Sequence, residues 1–235
     1  MSANADVLRG AAVIGSLTRE ASLAVEAPCE ADVWNPRDFA REQIRGLVRQ
    51  VFFAGGPRPV KQVVFCAAEP QIDLATVCDQ VARALALETR SPVALVDRHR
   101  HPQEIKLVPA YSKGPASIKS CSTQMATNLW RVRKSDLGES GNQSGTGMQW
   151  LSCLLELRTE FEYVVIQGPV AAISSEAALL GQLTDGLILV LGAHSTRRAT
   201  ARKIKEILER SQSRILGTVL SERRFPIPER IYSRL

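Results

Sequence analysis

Residues Ala67 to Thr76, AAEPQIDLAT, stand where a chain could hold a nucleotide phosphate. An apolar run, Val63-Val64-Phe65-Cys66, leads into them, and a helical pattern of Leu74, Val77, Val81, Leu85 and Leu87 leads out. A phosphate cradle at such a strand–loop–helix junction reads G-x-x-x-x-G-K-[ST]. Its glycines let backbone N–H groups approach the phosphates, its lysine balances their charge, and its hydroxyl meets Mg²⁺. Laid on that template from Ala68, the loop puts Ala68 and Asp73 at the glycines, Leu74 at the lysine and Ala75 at the hydroxyl. The frame is present and the groups that bind phosphate are not.

Other residues could carry chemistry. Asp97 ends a second apolar run, Val93-Ala94-Leu95-Val96, and the carboxyl end of a buried strand is where α/β proteins place functional groups. His99 and His101 follow at i, i+2, but no cysteine is near them in sequence, and no metal is expected. Cys29, Cys66, Cys78, Cys121 and Cys153 are odd in number, widely spaced and without a CxxC pair. They read as reduced thiols, with Cys66 and Cys153 inside apolar runs, rather than as a disulfide framework or zinc site. Gly138 to Gly147 is glycine-rich, but no strand immediately precedes it, so it is a surface loop and not a dinucleotide fingerprint.

The elements that must position these residues alternate strand with helix. A helix from Pro36 to about Phe53 carries an apolar stripe of Phe39, Ile44, Leu47, Val48 and Val51, and Gly55-Gly56-Pro57 stops it. Further strands are expected at 128–132, Tyr163 to Ile166, Gly186 to Leu191 and Arg214 to Leu220, with helices at 148–160, 174–183 and 196–212. Residues 103–127 are weakly patterned. The expected fold is α/β, three-layered and nucleotide-fold-like, with a mostly parallel sheet and helices on both faces. The expected division is a flexible extension over 1–35, a domain over 36–221 and a short basic tail over 222–235.

The 235 residues suit one such domain, and 45% hydrophobic content fills its core. Aromatics at 5% fit a core of Val, Leu, Ala and Ile. A net charge of +6 permits an acidic partner or an anionic membrane surface, but a solvated basic exterior is the better fit. No run approaches the roughly eighteen apolar residues of a membrane span, and the first residues do not form a secretory signal, so a cytoplasmic protein is expected.

The segment FEYVVIQGPVAAISSEAALLGQLTDGLILVLGAHSTRRATARKIKEILERSQSRILGTVL resembles the second half of the bacterial tyrosine kinases of capsule and exopolysaccharide synthesis. These are deviant Walker A proteins of the P-loop class, akin to the chromosome- and septum-positioning ATPases. PVKQVVFCAAEP and PVALVDRHRHP match the family's first and second nucleotide-site strands, and the resemblance runs over about residues 38–221. It implies ATP and Mg²⁺ as cofactors and a P-G-E-G-K-S-T loop. Pro70 and Thr76 match the ends of that loop, whereas Gln71, Asp73, Leu74 and Ala75 depart from it. Asp97 matches the first aspartate of the second motif, His99 stands at the other, and Gln167 replaces the third motif's metal-holding aspartate with an uncharged amide. The resemblance also implies a ring-forming Glu-x-x-Arg-x-x-Arg helix. Glu42 and Arg45 match it, Val48 does not, and Arg49 is displaced by one; an ordinary helix with charges on its wet face accounts for the same residues.

Phosphoryl transfer depends on positioning and on neutralising phosphate charge. Loss of the lysine, hydroxyl and carboxylate together therefore points to a catalytically degenerate relative without ATP or Mg²⁺. It would act as a scaffold or regulator of exopolysaccharide synthesis or export, partnered by a membrane chain-length or export protein or by an active family kinase, at the inner face of the plasma membrane and in a homo-oligomer. Two alternatives stay open. One is an active kinase or ATPase with a relocated lysine, Lys61 or Lys113, labelling Tyr111 or Tyr232. The other is a positioning-type accessory protein using Arg197, Arg198, Arg202, Lys203 and Lys205 on DNA or anionic lipid, although that cluster also suits a solvated face and nucleic acid ranks below protein partners.

Overall fold

Four unbroken apolar runs, at residues 63–67, 93–96, 164–166 and 187–190, have no polar face to turn toward water, so each must be covered above and below. In the computed structural model, which describes residues 36–55, 58–97, 118–133 and 147–222, they form the middle of a seven-stranded sheet. In chain order the elements are α1 (Pro36–Phe52), β1 (Gln62–Ala67), α2 (Leu74–Glu88), β2 (Val93–Asp97), α3 (Ile118–Cys121), β3 (Thr123–Ala126), β4 (Leu129–Arg133), α4 (Gly147–Glu160), β5 (Tyr163–Gln167), α5 (Glu176–Leu183), β6 (Gly186–Gly192), α6 (Arg198–Arg210) and β7 (Ile215–Ser221). The order across the sheet is β3-β4-β2-β5-β1-β6-β7. Every pairing is parallel except β3 with β4.

β1 sits between β5 and β6, and all six of its residues are buried. From β1 the chain moves through α2 toward one side of the sheet; from β4, β5 and β6 it moves through α4, α5 and α6 toward the other. Right-handed crossovers then put α2 on one face and α4 to α6 on the opposite face. The packing agrees, with α1 against α2 and α5 touching both α4 and α6. The end of β1 therefore opens into a crevice between helices that leave for opposite faces, the place where open α/β sheets hold ligands.

The expected strands and longer helices are all present, displaced by one or two residues at their ends. The weakly patterned stretch adds two elements within its described part, the four-residue α3 and strand β3. β3, TQMA, shows mostly exposed side chains, so it never displays the apolar run that marks its neighbours. The extension over 1–35, the loop over 138–146, His99, His101, Tyr111, Lys113, Cys29 and the tail beyond 222 lie outside the described residues. No helix among the described residues is long and apolar enough to cross a membrane.

Gly168 shows how tightly β5 lies against β1. A Cβ there would stand 2.5 Å from Cys66 Sγ, 2.8 Å from Val64 Cγ2 and 2.9 Å from the Phe65 carbonyl oxygen. Two of these neighbours are core side chains and one is backbone, so little can give. Gly168→Ala should lower unfolding free energy by about 1–3 kcal/mol, read from urea denaturation; an unchanged midpoint would contradict this packing.

Candidate functional site

The loop after β1 is folded onto its own carboxylates. Asp73 is the N-cap of α2: its Oδ1 accepts from Thr76 N at 3.0 Å and its Oδ2 from Thr76 Oγ1 at 2.6 Å. A helix N-terminus attracts anions through unpaired N–H groups and the helix dipole. Here the chain supplies the anion itself, where a phosphate cradle would leave the N–H groups to the ligand.

Ala68 is buried, and its N–H donates to Val190 O at 2.8 Å, which joins the loop to β6. Pro70 and Gln71 are exposed; Ile72 and Leu74 turn inward, 5% and 6% exposed, and belong to the hydrophobic core. Leu74 at the template's lysine position thus faces apolar neighbours, while Ala75 and Thr76 face solvent.

Sequence reasoning passed over Glu69 and Thr196. Glu69 Oε2 accepts from Gln71 Nε2 at 3.0 Å and from Thr196 Oγ1 at 3.0 Å. The same Thr196 hydroxyl accepts from Gly192 N at 3.0 Å. The loops after β1 and β6 are therefore fastened through one carboxylate. The available signal was a hydroxyl residue just ahead of a helix, but its partnership depends on β1 and β6 being neighbours, which only the strand order reveals.

Gln167 ends β5 beside Phe65 of β1, 3% exposed, so it reaches the same crevice from the adjacent strand. Asp97 ends β2, one strand further out and about 10 Å from β1 at usual strand spacing. Its side chain is among the buried polar groups, and its charge is felt at Cys78. Cys66, Cys78 and Cys153 are buried and lie outside any disulfide. Burial first, then the negative surroundings of Cys66, Asp97, Asp73 and Asp79, push the Cys78 thiol well above its ordinary pKa. Asp79 is paired with Arg83 at 2.7 Å and Arg131 at 3.2 Å, but Asp73 and Asp97 place carboxylates by the loop, and a triphosphate entering it would meet like charge with no lysine in the loop to offset it. The residues do not fit ATP with Mg²⁺. Among the described residues, no group of three or more His, Cys, Asp or Glu side chains could hold a metal.

The relocated lysine does not come from Lys61. It precedes β1, at the opposite end of the strand from the loop, and its Nζ lies 2.7 Å from Glu162 Oε1. The hydrogen bond and charge of Glu162 raise its pKa, keeping it protonated where it stands.

On α1, Arg49 is held by α2, its Nη2 3.1 Å from Glu88 Oε1. Arg45 lies 3.7 Å from Glu42 Oε2 and 3.9 Å from Glu88 Oε1, with half of its side chain exposed. Arg49 and, at longer reach, Arg45 thus join two helices of one protomer through Glu88, while Glu42 faces outward. On α6, Arg197, Arg198, Arg202 and Lys203 are exposed, but Lys205 pairs with Glu209 and Arg210 with Glu206, so the outer surface is mixed in charge. A cleft of about 420 Å³ lies away from the loop, between the end of α1 and strands β6 and β7, lined by Leu47, Val51, Phe53, Ile188, Leu216 and Thr218 among others.

A mostly parallel sheet with a strand–loop–helix at its switch point defines a P-loop NTPase-like fold. No family model matches the chain. It is similar to the tyrosine-protein kinase YwqD of Bacillus subtilis (strain 168), 24% identical over 196 residues, 79% of this chain and 82% of the relative. It also matches the tyrosine-protein kinase CpsD of Streptococcus agalactiae serotype III (strain NEM316), 33% identical over 66 residues, 28% of each chain. Among solved structures, the kinase domain of Escherichia coli tyrosine kinase ETK superposes with a TM-score of 0.60 at 17% identity, covering 90% of this chain and 88% of that one. The chain is thus similar to bacterial tyrosine kinases, over most of its length to one and over a shorter segment to the other.

The Asp73 cap is testable by itself. Asp73→Ala should lower unfolding free energy by about 1 kcal/mol, and Asp73→Asn by less, because the amide oxygen can still accept from Thr76. Equal losses for both, measured by urea denaturation, would mean that charge and not the cap matters.

Proposed function

We propose that this protein is a catalytically degenerate relative of the bacterial tyrosine kinases of capsule and exopolysaccharide synthesis, acting as a scaffold or regulator in exopolysaccharide synthesis or export. One observation carries the reading: the Asp73 carboxylate sits on the α2 N-terminus, 3.0 Å from Thr76 N, in the seat a phosphate would need. Leu74, buried where a lysine would reach for the phosphates, and Gln167, uncharged where a metal carboxylate would stand, support it. Removing phosphate-binding and metal-binding groups together leaves neither positioning nor charge neutralisation for phosphoryl transfer.

On this reading the protein works through its surfaces. Its partner is the cytoplasmic part of a membrane chain-length or export protein, or an active kinase of the family, met at the inner face of the membrane. ATP and Mg²⁺ take no part.

Calorimetric titration with ATP, with and without Mg²⁺, should give no binding heat up to millimolar nucleotide. Incubation with radiolabelled ATP should leave Tyr111 and Tyr232 unlabelled, with or without a co-purified membrane partner. Micromolar binding accompanied by turnover, or label on either tyrosine, would overturn the proposal.

A further inference from the structure

The cover that α1 gives to β6 and β7 is incomplete. Leu47 and Val51, one helical turn apart, line the cleft of about 420 Å³ between the end of α1 and these two strands. Ile188 of β6 lies beside Gly217 of β7 in the strand register, so both face the same side of the sheet. Ile188 belongs to the core, whereas Gly217 offers no side chain to fill the space above it. A Cβ on Gly217 would meet no described atom within 4 Å, and its φ lies outside the left-handed region. The bulge in β7 falls on its neighbour Leu216, whose side chain packs against Gly186. Neither its own backbone nor a described neighbour therefore requires glycine at 217, although valine or isoleucine would strengthen the strand. Glycine inside a strand often marks a place where a ligand or another backbone comes close.

The lining says what fits. Its walls are apolar: Leu47, Val51, Ile188 and, nearer solvent, Phe53 at 41% exposed. Two cations join them, Arg58 on the segment after α1 and Arg214 just ahead of β7, both exposed. Among the described residues no aspartate or glutamate lines the cleft, and neither arginine forms an ion pair. Arg214 Nη1 donates to the Asp185 carbonyl at 3.2 Å, while the Asp185 carboxylate accepts from Arg158 at 2.6 Å and from the Lys61 and Gln62 N–H groups. Both guanidinium groups thus keep charge and donors for an oxyanion, which arginine meets with paired N–H groups. Apolar walls with a few placed charges, in a volume within the roughly 300–1,000 Å³ of small-molecule sites, form the pattern of a ligand pocket. A sugar or nucleoside would find few partners, since Gln50 and Thr218 are the neutral hydrogen-bonding residues of the described lining. An apolar body with a charged head suits both kinds of wall.

We propose that this cleft binds an amphiphilic anion, an apolar chain or ring carrying one carboxylate or phosphate head. The body lies over Gly217 between α1 and β6, and the head meets Arg58 or Arg214. The site is separate from the loop after β1 and does not depend on whether the protein binds nucleotide.

Calorimetric titration of the full chain with decanoate and with decyl phosphate, each below its micelle-forming concentration, should show saturable binding of at least one. The tighter of the two tells a carboxylate ligand from a phosphate one. Decanol lacks the charge, and acetate and inorganic phosphate lack the body, so each should bind about tenfold more weakly or worse. Arg58→Gln removes a cation that has no ion pair among the described residues. It should weaken binding about tenfold at an unchanged melting temperature. Gly217→Val should weaken binding by about as much while raising the melting temperature, because valine favours a strand and fills the gap. Absence of binding by both amphiphiles would overturn the proposal. So would decanol binding as tightly as the anions, an affinity indifferent to both variants, or a Gly217→Val protein that is less stable than wild type. Binding that appears only after removal of residues 223–235 would overturn it by giving the cleft to the chain's own tail. A ligand-free dimer that Gly217→Val dissociates would do so by giving the cleft to a second copy.

Discussion

Everything in the sheet depends on β1 having no free side. Paired along both edges and covered on both faces, it can meet polar partners only at its ends. At the end where it begins, Asp185 Oδ2 accepts from Lys61 N at 2.9 Å and Gln62 N at 2.8 Å. Arg158 of α4 reaches across, donating from Nη2 to Asp185 Oδ1 at 2.6 Å and from Nε to Gln62 Oε1 at 2.9 Å. Gln62 closes the set by donating to Leu154 O at 2.8 Å. Burying a glutamine costs free energy unless its amide is satisfied, and this one is satisfied from both atoms. The lock sets the height of β1 against β6 and α4, and so sets where its far end releases the loop.

That far end is the candidate site, and its chemistry follows from charge. The loop carries Glu69 and Asp73, with Asp97 and Asp79 close to the root of α2. Each loop carboxylate is stabilised by a local donor: a helix N-terminus for Asp73, a threonine hydroxyl for Glu69. The loop is thereby complete as a structural element, with its donors engaged by its own acids.

Much of this was legible in the sequence, for a physical reason. Central parallel strands must be apolar without interruption, so Val63 to Ala67, Val93 to Val96, Val164 to Ile166 and Leu187 to Val190 announce themselves, and the alternation with helices gives the layering. β3 was not legible, because Thr123 to Ala126 is a short antiparallel edge whose side chains face water. At the site, the substitutions at Asp73, Leu74 and Gln167 could be read against a template, but their consequences could not. That Asp73 caps its own helix, that Leu74 enters the core and that Glu69 ties to Thr196 are facts of three-dimensional neighbourhood.

The inward turn of Leu74 also limits which substitutions the loop can accept. A lysine placed there would have to bury an ammonium among apolar side chains or drag the first turn of α2 out of the core, and a glycine at residue 73 alone would forfeit the cap without supplying a cation. Each single step toward a phosphate cradle is thus a loss by itself, and only a concerted change of loop and helix would be a gain. Packing of this kind acts as a ratchet: with Leu74 part of the core, the fold itself opposes piecemeal change at this loop.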